Sequence, residues 1–168
     1  GMAIGHEITH GFDDQGRQYD ALGNLKDWWT AEDAKSYKAR TAAIVKQYSD
    51  YVAMDDLHVN GAHTLGENIA DIGGLKLEWF AFRKSRAGKP GPASTDGFTP
   101  EQRFFLAYAQ LWREKARPEA RRLQIEVDQH SPSRFRVLGP VSLMPEFYTA
   151  FGMPVPEWVA ARQKEAIW

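Results

Sequence analysis

The chain has no cysteine. That excludes disulfides and any thiolate-ligated metal, and it leaves the redox compartment open. Nor does any apolar run approach the ~18 residues that would suggest a membrane span. Charge of one sign is lacking too: 21 basic side chains stand against 22 acidic ones, a net charge of -1. Nothing electrostatic therefore points to nucleic acid or an acidic membrane as partner. The opening "GMAIGHEITH" has no basic stretch followed by an apolar one, so no signal peptide is read there. Internal repeats, a strand-rich region and a glycine-rich phosphate loop are also absent. What is present is 168 residues, 43% apolar and 26% charged, as in a soluble globular protein. The length suits one domain, residues 1–168, with a real core.

The hydrophobic pattern is mostly helical. Residues 1–12 read as a helix, followed by a loop over 13–29 with Gly16 and Gly23 in turn-prone settings and room for a short hairpin. Thr30 opens the next helix, with Asp33 as its capping-box partner. Its apolar stripe is Tyr37, Ile44, Val45, Tyr48, Tyr51 and Val52, which reads as core packing. Asn60-Gly61 breaks the pattern. A third helix over Leu65–Ser85 buries Leu65, Ile69, Ile72, Leu75, Trp79 and Phe82. The Gly- and Pro-rich stretch "AGKPGPASTDGFT" is a surface loop. Thr99-Pro100 with Gln102 starts a helix through "EQRFFLAYAQLWREKA". "RPEARRLQIEVDQH" follows as a short helix whose arginines form a solvated face, and "MPEFYTAFG" ends on a C-cap glycine at Gly152. The fold class is mainly α.

Within the first helix, "HEITH" sets His6 and His10 four residues apart. On an α-helix such residues lie about 40° apart around the axis and roughly 6 Å apart along it, so both rings point the same way. That spacing suits one metal ion, with Glu7 able to face the water the metal would carry. The pattern equally fits a solvated helix with two ordinary histidines, and these ten residues alone leave both open. A catalytic zinc needs a third protein ligand and keeps a fourth position for water. "TLGENIADIGG" offers Glu67 and Asp71, four apart on one face of an otherwise apolar helix. No Lys or Arg stands four residues from either acid, so the pair suits a cation better than a solvated edge. His58 and His63 compete on residue type alone. They lie in a turn-rich segment without the i, i+4 relation and read as structural.

"HEITHGFD" followed by "GENIAD", with Glu67 57 residues past His10, resembles the neprilysin and endothelin-converting enzyme family of zinc metallopeptidases. The likeness continues through "DWWT" at 27–30, "HVNG" at 58–61, "FFLAYAQLW" at 104–112, "HSPSRFRVLG" at 130–139 and the terminal Trp168. It runs the length of the chain. Thermolysin-like and aminopeptidase relatives share the first motif, but "ENIAD" and "HSPSRFR" favour the neprilysin type.

The resemblance implies a zincin-type catalytic subdomain with its metal between two helices. It implies one zinc held by His6, His10 and Glu67, with Glu7 as general base. Asp71 would be the outer acid that orients a ligand histidine, and Asp13 would do the same for its neighbour. His130 would donate a hydrogen bond in the transition state, and Arg136 would clamp a substrate carbonyl. The implied activity is endopeptidase cleavage of short peptides. Family members also carry a helical lid and a substrate-pairing strand ahead of the metal helix, and neither is legible here. Gly1 before Met2 reads as a tag remnant. Three classes of protein then stay open: a peptidase domain that associates with a missing N-terminal region, a zinc-binding remnant without turnover, and a helical interaction module. Self-association through uncovered apolar surface, such as parts of helices 37–52 and 104–112, is expected. The family includes disulfide-bonded animal ectoenzymes, so the lack of cysteine points to a bacterial type; the compartment stays open, with a lean outside the cytoplasm, periplasmic or secreted.

Overall fold

The computed structural model describes residues 1–89 and 94–163. The terminal Trp168 and residues 90–93 of the Gly/Pro-rich loop lie outside them. The fold is mainly helical, as the periodicity predicts, with eight α-helices among the described residues and one two-stranded sheet. Helix α1 spans Met2–His10, α2 Ala31–Ser49 and α3 Leu65–Arg86. Between α2 and α3, β1 (Val52–Met54) pairs antiparallel with β2 (Leu57–His58). Then come α4 (Pro100–Leu111), α5 (Pro118–Val127), α6 (Ser133–Ser142), α7 (Pro145–Ala150) and α8 (Glu157–Arg162).

Local chemistry accounts for most boundaries. Thr30 and Asp33 form a reciprocal capping box at α2, and Thr99 and Gln102 form one at α4 behind Pro100. Gly152 takes φ +65 just after α7, closing that helix as the sequence suggested. Other ends differ from expectation. α1 stops at His10, because Asp13 caps the following turn by accepting from the N–H groups of Gln15 and Gly16. α2 stops at Ser49, so Tyr51 and Val52 leave the helix and Val52 begins the hairpin. The hairpin turn places Asp55 at φ 50, a conformation that aspartate tolerates better than most residues. α4 ends at Leu111 rather than running on through Ala116. α6 was not anticipated as a helix at all, since it contains Gly139 and Pro140.

α3 is the spine. Its Ile69 enters one apolar cluster with Tyr37, Ile44, Tyr48, Val59 and Phe135. Its Leu75 and Trp79 enter a second with Met2, Phe105, Tyr108, Val141 and Met144. α1 lies against α3 more extensively than any other pair of elements meets. Glycines permit this approach. A Cβ added at Gly74 would sit 2.7 Å from the His6 amide nitrogen and 2.8 Å from the Met2 carbonyl oxygen. One at Gly73 would meet Thr9 Oγ1 at 2.6 Å, and one at Gly5 would meet the Gly74 Cα at 2.9 Å. These three bare positions let the two backbones nearly touch, which brings the His6–His10 face onto the Glu67–Asp71 face.

The apolar surface anticipated on two helices is left open only in part. Helices 37–52 and 104–112 bury Tyr37, Ile44, Tyr48, Phe105 and Tyr108, although Val52 and Leu111 remain exposed. Large exposed apolar side chains also lie on the outer side of α1, at Ile4 and Ile8, on α3 at Leu77 and Phe80, and on α5 at Leu123 and Val127. Among the described residues, no helix is long and apolar enough to cross a membrane.

Candidate metal centre

His6 and His10 project from α1 and meet Glu67 from the first turn of α3. One ligand atom from each lies within 4.8 Å of the others. The two Nε2 atoms are 3.0 Å apart. Glu67 Oε2 is 3.2 Å from His6 Nε2, and Oε1 is 3.6 Å from His10 Nε2. The other side of each ring decides the tautomer. His6 Nδ1 lies 2.8 Å from Asp71 Oδ1, and His10 Nδ1 lies 2.8 Å from Asp13 Oδ2. A carboxylate can only accept, so each Nδ1 carries the hydrogen and each neutral ring turns a lone pair inward from Nε2. Two lone pairs and a carboxylate converging at such distances repel one another unless a cation lies among them. Glu67 Oε2 is moreover buried without a hydrogen-bond partner, an orphan that a cation would satisfy.

The field of the site favours positive charge. Burial alone would lower the His6 pKa, but Asp71 and Glu67 outweigh it and hold it up at about 9, so without a metal a proton on Nε2 takes the place that a cation would fill. Burial would raise Glu67, yet His6, His130 and His10 hold it below the ordinary carboxylate range. Two histidines and one carboxylate, all oxygen or nitrogen donors, make a set that zinc accepts. His6, His10 and Glu67 thus form a single zinc-binding site between α1 and α3.

Of the other residues singled out in the sequence, the structure gathers Asp13, Asp71, His130 and Arg136 around this cluster. Asp13 is buried and fixed by its own turn through the Gln15 and Gly16 amides. Asp71, fully buried, has a second task that the sequence did not disclose. Its Oδ2 accepts from Arg136 Nε at 2.7 Å and its Oδ1 from Arg136 Nη2 at 2.8 Å, while Oδ1 also holds His6. The Arg136 guanidinium also lies 3.9 Å above the Trp112 ring. Burial would lower the pKa of Arg136, but Asp71 and Glu67 more than compensate and raise it. His130 brings Nε2 to 3.1 Å from Glu67 Oε2. Glu7 is exposed, and its side chain makes no hydrogen bond or ion pair with another described residue. His58 turns away to the Ser49 carbonyl, and His63 lines a cleft beside His10 without joining the cluster.

Two positioning contacts escaped the sequence reading. Asp128 Oδ1 accepts from both the backbone N–H of His130 and its Nδ1, at 2.9 and 2.7 Å, fixing the ring. The buried Asn68 accepts from Ser131 Oγ at 2.7 Å and donates to Thr64 Oγ1 at 2.9 Å, tying the His130 loop to α3. An acid two residues before a histidine, in "DQH", was the available signal for the first. Nothing local marks the second.

A domain whose short, glycine-bared helix crossing sets two histidines against a glutamate, with each histidine backed by an aspartate, is a zinc-metallopeptidase catalytic domain. The family model described as peptidase family M13 matches residues 1–167, and the chain belongs to that family. The chain is 45% identical over 170 residues to an endothelin-converting enzyme homolog of Locusta migratoria, covering 100% of this chain and 23% of that protein. It is 46% identical over 172 residues to neprilysin-2 of Drosophila melanogaster, covering 100% of this chain and 22% of that one. Among solved structures, the Mycobacterium tuberculosis zinc metalloprotease ZMP1 in complex with an inhibitor superposes with a TM-score of 0.82 at 47% identity. That match covers 93% of this chain and 24% of the other. The chain thus spans under a quarter of the length of the curated relatives it matches.

Proposed function

We propose that this chain carries the hydrolytic centre of an endopeptidase that cuts peptide bonds in short peptides. The observation that carries the reading is the convergence of His6 Nε2, His10 Nε2 and Glu67, with Glu7 next to His6 in the chain, exposed and without an ion pair. Zinc bound by these three side chains would polarise the scissile carbonyl and lower the pKa of a bound water to about 7. Glu7 follows His6 on the same helix and has no ion pair to quench it, so its carboxylate is free to take the proton of the attacking water. It would then deliver that proton to the leaving amine.

His130 serves the carbonyl oxygen. With Nδ1–H held by Asp128, its ring is locked so that Nε2 faces the cluster, and in the protonated form Nε2–H can donate to the oxygen as charge develops there. Arg136 uses Nε and one Nη2 hydrogen on Asp71, which leaves Nη1 free to hold a substrate carbonyl beyond the scissile bond. Asp71 and Asp13 keep the two histidine rings in the ligating tautomer. Asp71, Asp13 and Arg136 thus act by orientation, which can supply ~7–11 kcal/mol of barrier reduction.

The test uses the zinc-loaded chain and a quenched fluorescent peptide. Chelator-sensitive cleavage that disappears in Glu7→Gln, with zinc content unchanged, is the expected result. Near-normal turnover in Glu7→Gln would show that Glu7 is not the base.

A further inference from the structure

α5 is the one long helix among those described that buries none of its residues. Its Leu123 and Val127, one turn apart, are 59% and 63% exposed. A surface helix ordinarily turns its apolar stripe inward, and a large apolar pair left open marks a place where something else binds. With Ala120 these two side chains form one wall of a groove that runs to Asp128, Gln129 and His130. Gln129 also lines a second, polar cleft that contains His10 and Glu67. Gln129 thus lines both clefts, and His130, at the end of the groove, brings its Nε2 to 3.1 Å from the zinc-ligating Glu67. The apolar shelf adjoins the metal centre.

We infer that the open face of α5, formed by Leu123 and Val127, is a specificity-determining subsite that receives a large apolar side chain of a peptide substrate extending from the metal centre past His130. The inference rests on the peptidase reading above. Several features fit a peptide and this kind of side chain. The approach runs along groups able to hold a peptide backbone, with the Gln129 amide on the way. The shelf itself offers the aliphatic surface of Ala120, Leu123 and Val127, with Gln124 beside it. Its helix is held from outside the groove, by Arg122 on Asp55 and by Arg121 on Glu114, so the apolar pair is presented on a fixed support. Leu123 and Val127 contribute nothing to either apolar core, so replacing them should leave the fold and the zinc site intact.

The experiment uses the zinc-loaded chain carrying Glu7→Gln, so that peptide is bound and not consumed. Methyl NMR of Leu123 and Val127 follows titration with two peptide series of equal length. In one, a Leu or Phe is walked outward from the centre; in the other, Ser replaces it at each position. The expected result is saturable shifts of both methyl groups with the apolar series at one position. Leu123→Ser and Val127→Ser should weaken that peptide roughly tenfold, the scale for a lost aliphatic contact in a pocket. They should leave the Ser series and zinc content unchanged. Equal weakening of both series, or binding with no shift at these methyls, overturns the inference. Shifts that grow with protein concentration and without peptide also overturn it, because a second copy would then be the occupant. Turnover on the glutamate-containing chain separates the two readings. Peptide bound on α5 without cleavage would refute the proposed hydrolysis alone, whereas cleavage indifferent to Leu123 and Val127 would refute the subsite alone.

Discussion

Gly74→Ala tests the helix crossing on which the site depends. Taken as a helix substitution by itself, it should stabilise α3 by up to about 1 kcal/mol, since glycine is a poor interior helix residue. The contact across to α1 argues the other way. The added carbon would meet two backbone atoms, at 2.7 and 2.8 Å, and neither can rotate away. Moving from 2.7 Å to an ordinary 3.4 Å contact requires α1 to withdraw by about 0.7 Å. Overpacking of that kind costs ~1–3 kcal/mol, so the clash outweighs the propensity gain. Withdrawal also carries His6 and His10 together away from Glu67, and metal sites tolerate only about 0.2 Å in ligand distance. Zinc affinity should fall tenfold or more, ~1.4 kcal/mol or above. The metal-free chain should melt lower by up to about 8 °C, a net loss of up to ~2 kcal/mol (~1–3 less about 1) at ~2–4 °C per kcal/mol for a chain of this size. Competition against a chromophoric chelator and thermal unfolding measure the two effects. Unchanged zinc affinity with an equal or higher melting temperature would mean that propensity wins and that the helices are not in backbone contact.

Other substitutions separate the remaining roles. Glu67→Gln should weaken zinc binding, whereas Glu7→Gln should keep the metal and lower hydrolysis by about 10²–10⁴-fold, the usual range for a general base; equal zinc loss in both would undo the distinction. Asp71→Asn should reduce zinc affinity by roughly 10–100-fold, as for other partners of ligand histidines, and equilibrium dialysis would detect its failure to do so. Asn68→Ala strands the buried Ser131 hydroxyl and should destabilise the chain by about 1–3 kcal/mol in chemical denaturation; a neutral effect would show that the His130 loop is held by other means. Residues 1–168 by themselves should bind zinc yet cleave short peptides slowly, because orientation can supply ~7–11 kcal/mol and the chain spans under a quarter of its relatives. Efficient chelator-sensitive turnover by a monodisperse monomer would contradict that.

Periodic features were legible in the sequence. The i, i+4 spacing of His6 with His10 and of Glu67 with Asp71 puts each pair on one helix face, and both helices and capping boxes follow from local chemistry. Features that depend on what lies opposite were not legible. Gly73 and Gly74 look like weak points in a helix until α1 is laid across them. Asp71 appears as a partner for one histidine, and its grip on Arg136 emerges only when α6 is placed beside α3. α6 itself carries Gly139 against the Tyr48 ring, a fit that tertiary packing rewards and helix propensity penalises. The hairpin at 52–58 is too short to show alternation.

Asp71 is shared between a metal-ligand histidine and Arg136, the arginine proposed to hold substrate, and on that reading the sharing couples two affinities. Whatever a peptide carbonyl draws from the Arg136 guanidinium is felt at the carboxylate, and from there at the basicity of the His6 ring. Coupling of this kind is reciprocal: if bound zinc tightens peptide binding by some factor, bound peptide must tighten zinc by the same factor. A chelator would then strip the metal more slowly and less completely from a chain engaged with peptide. Scarcity of zinc and scarcity of substrate would reinforce each other, so the site would tend to be either fully assembled or fully idle.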